Sequence, residues 1–101
     1  MIEIVTSGHF DVWMRRLRDA KARARIQVRI LRLSLGNPGD VKPVGKGVNE
    51  MRIDYGPGYR VYFLQHGAEI IVLLCGGDKS NQQNDIALAH DIAAAWKGST
   101  P

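Results

Sequence analysis

Apolar residues recur along this chain with two different periods, and each change of period marks a change of element. Ile2 and Ile4 alternate with Glu3, the two-residue repeat of a short strand. Ser7 then offers an oxygen to the first free amides of a helix, with Asp11 favourably placed in the first turn. Phe10, Trp13, Met14 and Leu17 follow at i, i+3, i+4 and i+7, a single apolar stripe on a helix face. A second helix is expected over 20–35, broken from the first near Asp19 and closed by Gly36 and the turn Asn37-Pro38-Gly39. Two apolar lines run along it: Ala22, Ile26, Ile30 and Leu33 on one side, and Ala24, Val28, Leu31 and Leu35 on nearly the opposite side. Covering from two directions is therefore expected, with Lys21, Arg25, Arg29 and Arg32 as the solvent line between them.

The second half reads as strands. Residues 41–44 form a short one, and Gly45-Lys46-Gly47 a turn. The β-rich runs 48–55 and 59–65 flank Gly56-Pro57-Gly58, a three-residue hairpin connection. After a turn at His66-Gly67-Ala68, the nearly all-apolar run 69–75 has the character of a strand buried on both faces. Gly76-Gly77-Asp78-Lys79 is expected to be a loop, Ser80 and Gln83 a capping box, and Ile86, Ala89, Ala93 and Trp96 the inner face of a last helix with a frayed tail from Gly98 to Pro101.

A chain of 101 residues with 45% hydrophobic content and four prolines is expected to fold as one domain, 1–101, with a packed core. Its single cysteine, Cys75, leaves no internal disulfide and no zinc-ligand spacing, which points to a reducing cytoplasm and to no metal. The first residues lack the pattern of a secretory signal, and no run reaches the roughly 20 apolar residues of a membrane span. Charge sharpens the picture. Of fourteen basic residues, eight fall between Arg15 and Arg32 (Arg15, Arg16, Arg18, Lys21, Arg23, Arg25, Arg29, Arg32) against one acid, Asp19. Such a field draws phosphate backbones or acidic proteins, and Arg25, Arg29 and Arg32 are candidates for holding one.

If the hairpin closes on Gly56-Pro57-Gly58, Tyr55 pairs with Tyr59, Asp54 with Arg60, Arg52 with Tyr62 and Glu50 with Leu64. Met51, Ile53, Tyr55, Tyr59, Val61 and Phe63 then share the core face, while Glu50, Arg52, Asp54, Arg60 and Tyr62 share an open one, with Lys79 joining from the next loop. Cleavage of RNA by its own 2′-hydroxyl needs a base, cations for the phosphorane and no metal, and this group has those types. Asp54 and Arg60 equally suit a plain cross-strand ion pair. His9, His66 and His90 do not converge, and the glycine pairs lack the spacing of a nucleotide-binding loop.

These residues carry a resemblance. Phe10-x-x-Trp13-x-x-x-Leu17-Arg18-Asp19, Ala22-Arg23-Ala24-Arg25-Ile26, Gly45-x-Gly47-Val48-x-Glu50-x-Arg52, Gly56-Pro57-Gly58-Tyr59-Arg60-Val61-Tyr62 and Gly76-Gly77-Asp78-Lys79 together resemble the addiction-module killer proteins, a HigB-like branch of the RelE/ParE toxin superfamily. The resemblance implies an α+β, RelE-like fold, β-α-α-β-β-β-α, whose N-terminal helical hairpin packs on a small antiparallel sheet. It implies the toxin of a type II toxin–antitoxin system, a cofactor-free endoribonuclease that cuts mRNA on the ribosome, or a ParE-like gyrase inhibitor, or a decayed toxin that only binds its antitoxin. The implied partner is a small helix-turn-helix antitoxin encoded nearby, in a hetero-oligomer. By the resemblance, Arg60 and Arg52 match the family's basic positions, Lys79 lies near the basic residue that follows the last strand, Glu50 is the carboxylate to test as base, and Tyr62 lies beside them. Ribosome-dependent relatives carry a Tyr or His near the C-terminal end, whereas Gln82 to Asp85 here have neither.

Overall fold

The computed structural model describes residues 1–99. The elements run β1 (Glu3–Thr6), α1 (Gly8–Arg16), α2 (Ala20–Ser34), β2 (Val41–Pro43), β3 (Val48–Ile53), β4 (Tyr59–His66), β5 (Ile70–Asp78), a 3-10 turn (Lys79–Asn81) and α3 (Gln82–Ser99). This is an α+β fold of one five-stranded sheet, ordered β1-β5-β4-β3-β2, and three helices. Among the described residues no helix is long and apolar enough to cross a membrane.

The helix starts are those the capping residues announce. Ser7 Oγ accepts from the Phe10 amide at 3.1 Å, and its hydroxyl donates to the Leu74 carbonyl. Asp19 caps α2, accepting from the Lys21 and Ala22 amides at 3.0 and 3.2 Å. Because Ser7 serves both a helix end and a strand, Ser7→Ala is expected to cost about 1–2 kcal/mol in urea unfolding.

Two cores sandwich the sheet. On one face α1 and α2 bury Phe10, Ile26 and Leu33 against Met51, Ile53, Val61, Phe63, Ile71 and Leu73. On the other, Ala89 and Ala93 of α3 close over Val48, Tyr62, Leu64, Val72, Leu74 and Cys75. A bulge between Tyr62 and Phe63 lets Leu74 and Cys75 both join this second core. The expectation of an open face on the hairpin is corrected: α3 covers it, and Glu50 and Tyr62 have no exposure at all.

Other expectations shift for physical reasons. The sheet is mixed rather than antiparallel, since β1 pairs with β5 in parallel; α1 and α2 carry the chain from β1 to β2 at the far edge, and β2, β3 and β4 return it to β5 beside β1. Residues 41–43 make β2 a real edge strand, so the sheet has a fifth member beyond the order β-α-α-β-β-β-α. The hairpin pairs Ile53 with Tyr59 and Arg52 with Arg60, two residues from the expected register, with 54–58 as the connection. Tyr55 leaves the ladder because its hydroxyl donates to Asp19 at 3.1 Å and the Arg25 guanidinium lies 4.7 Å over its ring. A shift of two keeps every side chain on its face, so the core face stands as expected.

Gly76 and Gly77 are not a loop but the end of β5, where bare Cα atoms let Trp13 press on one face and Asp85 on the other. Asp78, not Ser80, caps the 3-10 turn, accepting from the Ser80 amide at 2.8 Å. Gly98 and Ser99 belong to α3 rather than to a frayed tail, whose remainder, 100–101, lies outside the described residues. Only one apolar line of α2 is covered. Ala24, Val28, Leu31 and Leu35 are exposed, the last three at 45%, 53% and 62%.

Candidate functional site

At the end of the β3–β4 ladder the chain places two arginines in direct register. Arg52 and Arg60 are Cα partners, and both line a cleft of about 490 Å³ with Lys79, Asp40, Asp54 and Tyr59. Arg52, Arg60 and Lys79 thus line one cleft, from a hairpin register two residues away from the expected one. Gly58, at φ +82°, makes room for the lysine: a Cβ there would stand 2.9 Å from Lys79 Cε.

The two arginines are held in different ways. Arg52 is half-exposed and bound to the exposed Asp40, with Nη2 and Nε reaching Oδ1 at 2.8 and 3.2 Å. A solvent-screened surface pair of this kind is weak, so an incoming phosphate can replace Asp40 at little cost. Arg60 is only 11% exposed, and its Nη1 donates to Glu50 Oε1 at 2.8 Å. Glu50 in turn accepts from the Tyr62 hydroxyl at 3.0 Å and from Gln82 Nε2 at 2.8 Å, both on Oε2. Among the described residues, Arg60 Nε is buried without a partner.

This corrects two readings. Glu50 is sealed beneath α3 with both oxygens engaged, so it reaches no solvent-borne substrate, and Tyr62 is equally buried and points its hydroxyl at Glu50. Burial, with the Glu50 carboxylate beside it, pushes the Tyr62 phenol well above its usual range. The expected Asp54–Arg60 ion pair does not form; among the described residues Asp54 joins neither arginine. Asp54, which the alternation groups with Arg52 and Arg60, is an exposed carboxylate at the cleft wall just beyond the end of the ladder. Gln82 is the residue that local pattern misses: α3 brings it to Glu50 across 32 positions of sequence.

The helix arginines do not join this cleft. Arg25, Arg29 and Arg32 line a separate groove of about 560 Å³ along α2 with Lys21, Ala24 and Val28. Arg29 folds down as a clamp, with Nη1 on the Arg52 carbonyl at 2.6 Å and Nη2 on the Pro38 carbonyl at 3.1 Å, and desolvation lowers its pKa. The cleft and the groove meet at Ile53 and Asp54, which line both. Cys75 lies outside both, its thiol pushed up to about 12 by burial, a packing residue.

Asp85 supplies a pH signature. Its Oδ2 is buried against Gly77 with no partner among the described residues, while Oδ1 accepts from Asn81 at 3.4 Å, and burial raises its pKa above 3.8. A carboxyl raised on folding holds its proton more tightly in the folded state. Its contribution is thus most favourable below the unfolded value of 3.8 and is lost as pH rises through the raised folded value. Asp85→Asn is therefore expected to melt higher than the parent at pH 7, with the difference shrinking or reversing toward pH 3, in paired thermal melts.

Comparison with known proteins adds to this geometry. The sequence profile of the family described as "Phage derived protein Gp49-like (DUF891)" matches residues 13–96. A Haemophilus influenzae protein, described only as "Uncharacterized protein", is 48% identical over 92 residues, covering 91% of this chain and 93% of its own length. Both matches span the cleft, its supporting Glu50 cluster and the groove along α2.

Proposed function

The chain belongs to the Gp49-like, phage-derived family, and on that premise we propose that it is the toxin of a type II toxin–antitoxin module, of the RelE/ParE superfamily in its HigB-like branch, that cleaves mRNA held on the ribosome. The observation that carries the reading is the Arg52–Arg60 pair at one rung of the sheet with Lys79 across the same cleft. Three cations converging on one spot suit a phosphodiester whose charge grows in the transition state. The cleft provides Tyr59 as its one aromatic edge and few groups to orient a free RNA, which fits a message positioned by another body.

The chemistry follows from the placements. Asp54 takes the proton of the 2′-hydroxyl, the 2′-oxygen bonds to phosphorus, and the bond to the 5′-oxygen breaks. Lys79 gives that oxygen its proton, and exchange with water restores both groups. The products are a 2′,3′-cyclic phosphate and a 5′-hydroxyl end. Arg52 and Arg60 hold the phosphoryl oxygens, and Glu50 acts as a positioning residue, fixing Arg60 through Nη1 with Tyr62 and Gln82 behind it. Asp54→Asn is expected to lower single-turnover cleavage by about 10²-fold, the usual contribution of a general base, while leaving the melting curve in place because Asp54 is exposed.

Inducing the protein in cells and mapping message ends tests the reading. Cuts confined to translated messages support it. Growth arrest with intact messages and broken DNA would instead identify a gyrase poison, and unimpaired growth a toxin that has lost its activity.

A further inference from the structure

Asp54 takes the proton in the proposed cut, yet among the described residues no hydrogen bond or ion pair holds its carboxylate. It stands just past Ile53, the last rung of the ladder, in the connection 54–58. The backbone there makes two tight turns in succession. The Tyr55 amide donates to the Ile53 carbonyl at 2.9 Å, which places Asp54 at the apex of a three-residue turn, and the Gly58 amide donates to the Tyr55 carbonyl at 3.1 Å. Ile53 is buried and paired with Tyr59, so the sheet fixes one arm of the apex. The other arm is Tyr55, which has left the sheet.

What holds Tyr55 is the start of α2. Its hydroxyl donates to Asp19 Oδ2 at 3.1 Å, across 36 positions of sequence, and the Arg25 guanidinium lies 4.7 Å over its ring. Asp19 divides its work between two oxygens: Oδ1 accepts from the Lys21 and Ala22 amides as the helix cap, and Oδ2 accepts from Tyr55. The cap needs only one oxygen, so the cap leaves Oδ2 unexplained. Desolvation and the Asp19 carboxylate both raise the Tyr55 pKa above 10.0, which keeps the phenol a donor.

We propose that Tyr55, anchored on Asp19, is a positioning residue for Asp54: the tether fixes the far arm of the turn and so holds the base in place at the cleft wall. The proposal rests on the cleavage reading, in which Asp54 is the base. A carboxylate on a loose connection samples many placements, and a displacement of about 1 Å can cost up to about 10²-fold in rate. Gly56 and Gly58, at φ +58° and +82°, let the chain turn sharply but give it little stiffness of its own. The bond from Tyr55 to Asp19 supplies what the glycines lack.

The test uses the full chain with ribosomes and a defined message, in single-turnover cleavage. Tyr55→Phe keeps the ring under Arg25 and removes only the hydroxyl; it is expected to lower the maximal rate about 10-fold at unchanged half-saturation. Asp19→Ser keeps one oxygen for the cap and leaves none for Tyr55, and should match it. Combining the two should cost no more than either alone. In the Asp54→Asn background Tyr55→Phe should change nothing, because no base is left to place. A parental rate for Tyr55→Phe overturns the proposal, as does an equal loss in the Asp54→Asn background, which would put the effect elsewhere in the fold. Amide exchange followed by NMR reads the tether without cleavage. The Tyr55 and Gly58 amides should exchange about 10-fold faster in Tyr55→Phe and in Asp19→Ser, while those of the β3–β4 ladder keep the parental rate. Unchanged exchange at Tyr55 and Gly58 overturns the tether. A parent that cuts no message, or Asp54→Asn that cuts at the parental rate, refutes the cleavage reading, and faster exchange in the two variants then leaves the tether standing.

Discussion

Arg60→Met is expected to lower message cleavage by about 10²- to 10³-fold, the range seen when one preorganised donor is removed from a developing negative charge. Arg60 stands across the ladder from Arg52 and is nearly buried, so its guanidinium arrives in the cleft with its orientation already set by Glu50. Removing it also strands the Glu50 carboxylate under α3, and a fall in activity could follow from a loosened fold alone. Arg60→Lys separates the two effects. The ammonium keeps a positive charge for Glu50 and preserves the fold, but it lacks the planar fork that grips a carboxylate and a phosphate at once. The lysine variant should therefore melt near the parent and still cleave poorly in single-turnover assays. Parental cleavage by Arg60→Lys would remove Arg60 from the proposed site.

Glu50→Ala is expected to destabilise the protein by about 3–5 kcal/mol, the cost of breaking a buried ion pair from one side. The size of the effect follows from what is left behind: Arg60 with 11% exposure, and the Tyr62 hydroxyl and Gln82 amide without their acceptor. Glu50→Gln, of the same shape, retains an acceptor for Tyr62 and should cost less. Combining Glu50→Leu with Arg60→Met removes both charges and should return stability to within about 2 kcal/mol of the parent, because a buried pair is often replaceable by apolar residues of similar volume. Activity should not return with it. Chemical unfolding of the single and double variants, read as a cycle, checks this; a stable Glu50→Ala would mean that the cluster contributes little to the fold.

The contrast between these residues explains how much the sequence disclosed. Local chemistry was readable: Ser7 and Asp19 announce helix starts, Phe10, Trp13 and Met14 announce an inner face, and Met51, Ile53, Val61 and Phe63 announce one side of the sheet. Side-chain alternation survives a two-residue slip, so the faces came out right while the partners did not. What sequence could not show was the return of α3 across the second face. That one packing event turns Glu50 and Tyr62 from surface groups into the buried support of Arg60, and it recruits Gln82. The parallel pairing of β1 with β5 was hidden for the same reason, since nothing local links Glu3 to Ile70. The slip itself has a local cause visible only in three dimensions: Tyr55 abandons the strand for Asp19 and Arg25.

The most direct trial of the whole account is the chemistry of the cut ends. Purified protein is mixed with ribosomes translating a defined message, and the RNA termini are analysed. The account predicts 2′,3′-cyclic phosphate and 5′-hydroxyl ends within the translated region, produced by the parent and nearly absent with the well-folded Arg60→Lys. An intact message in the presence of folded parent protein, or ends bearing a 5′-phosphate, would contradict it.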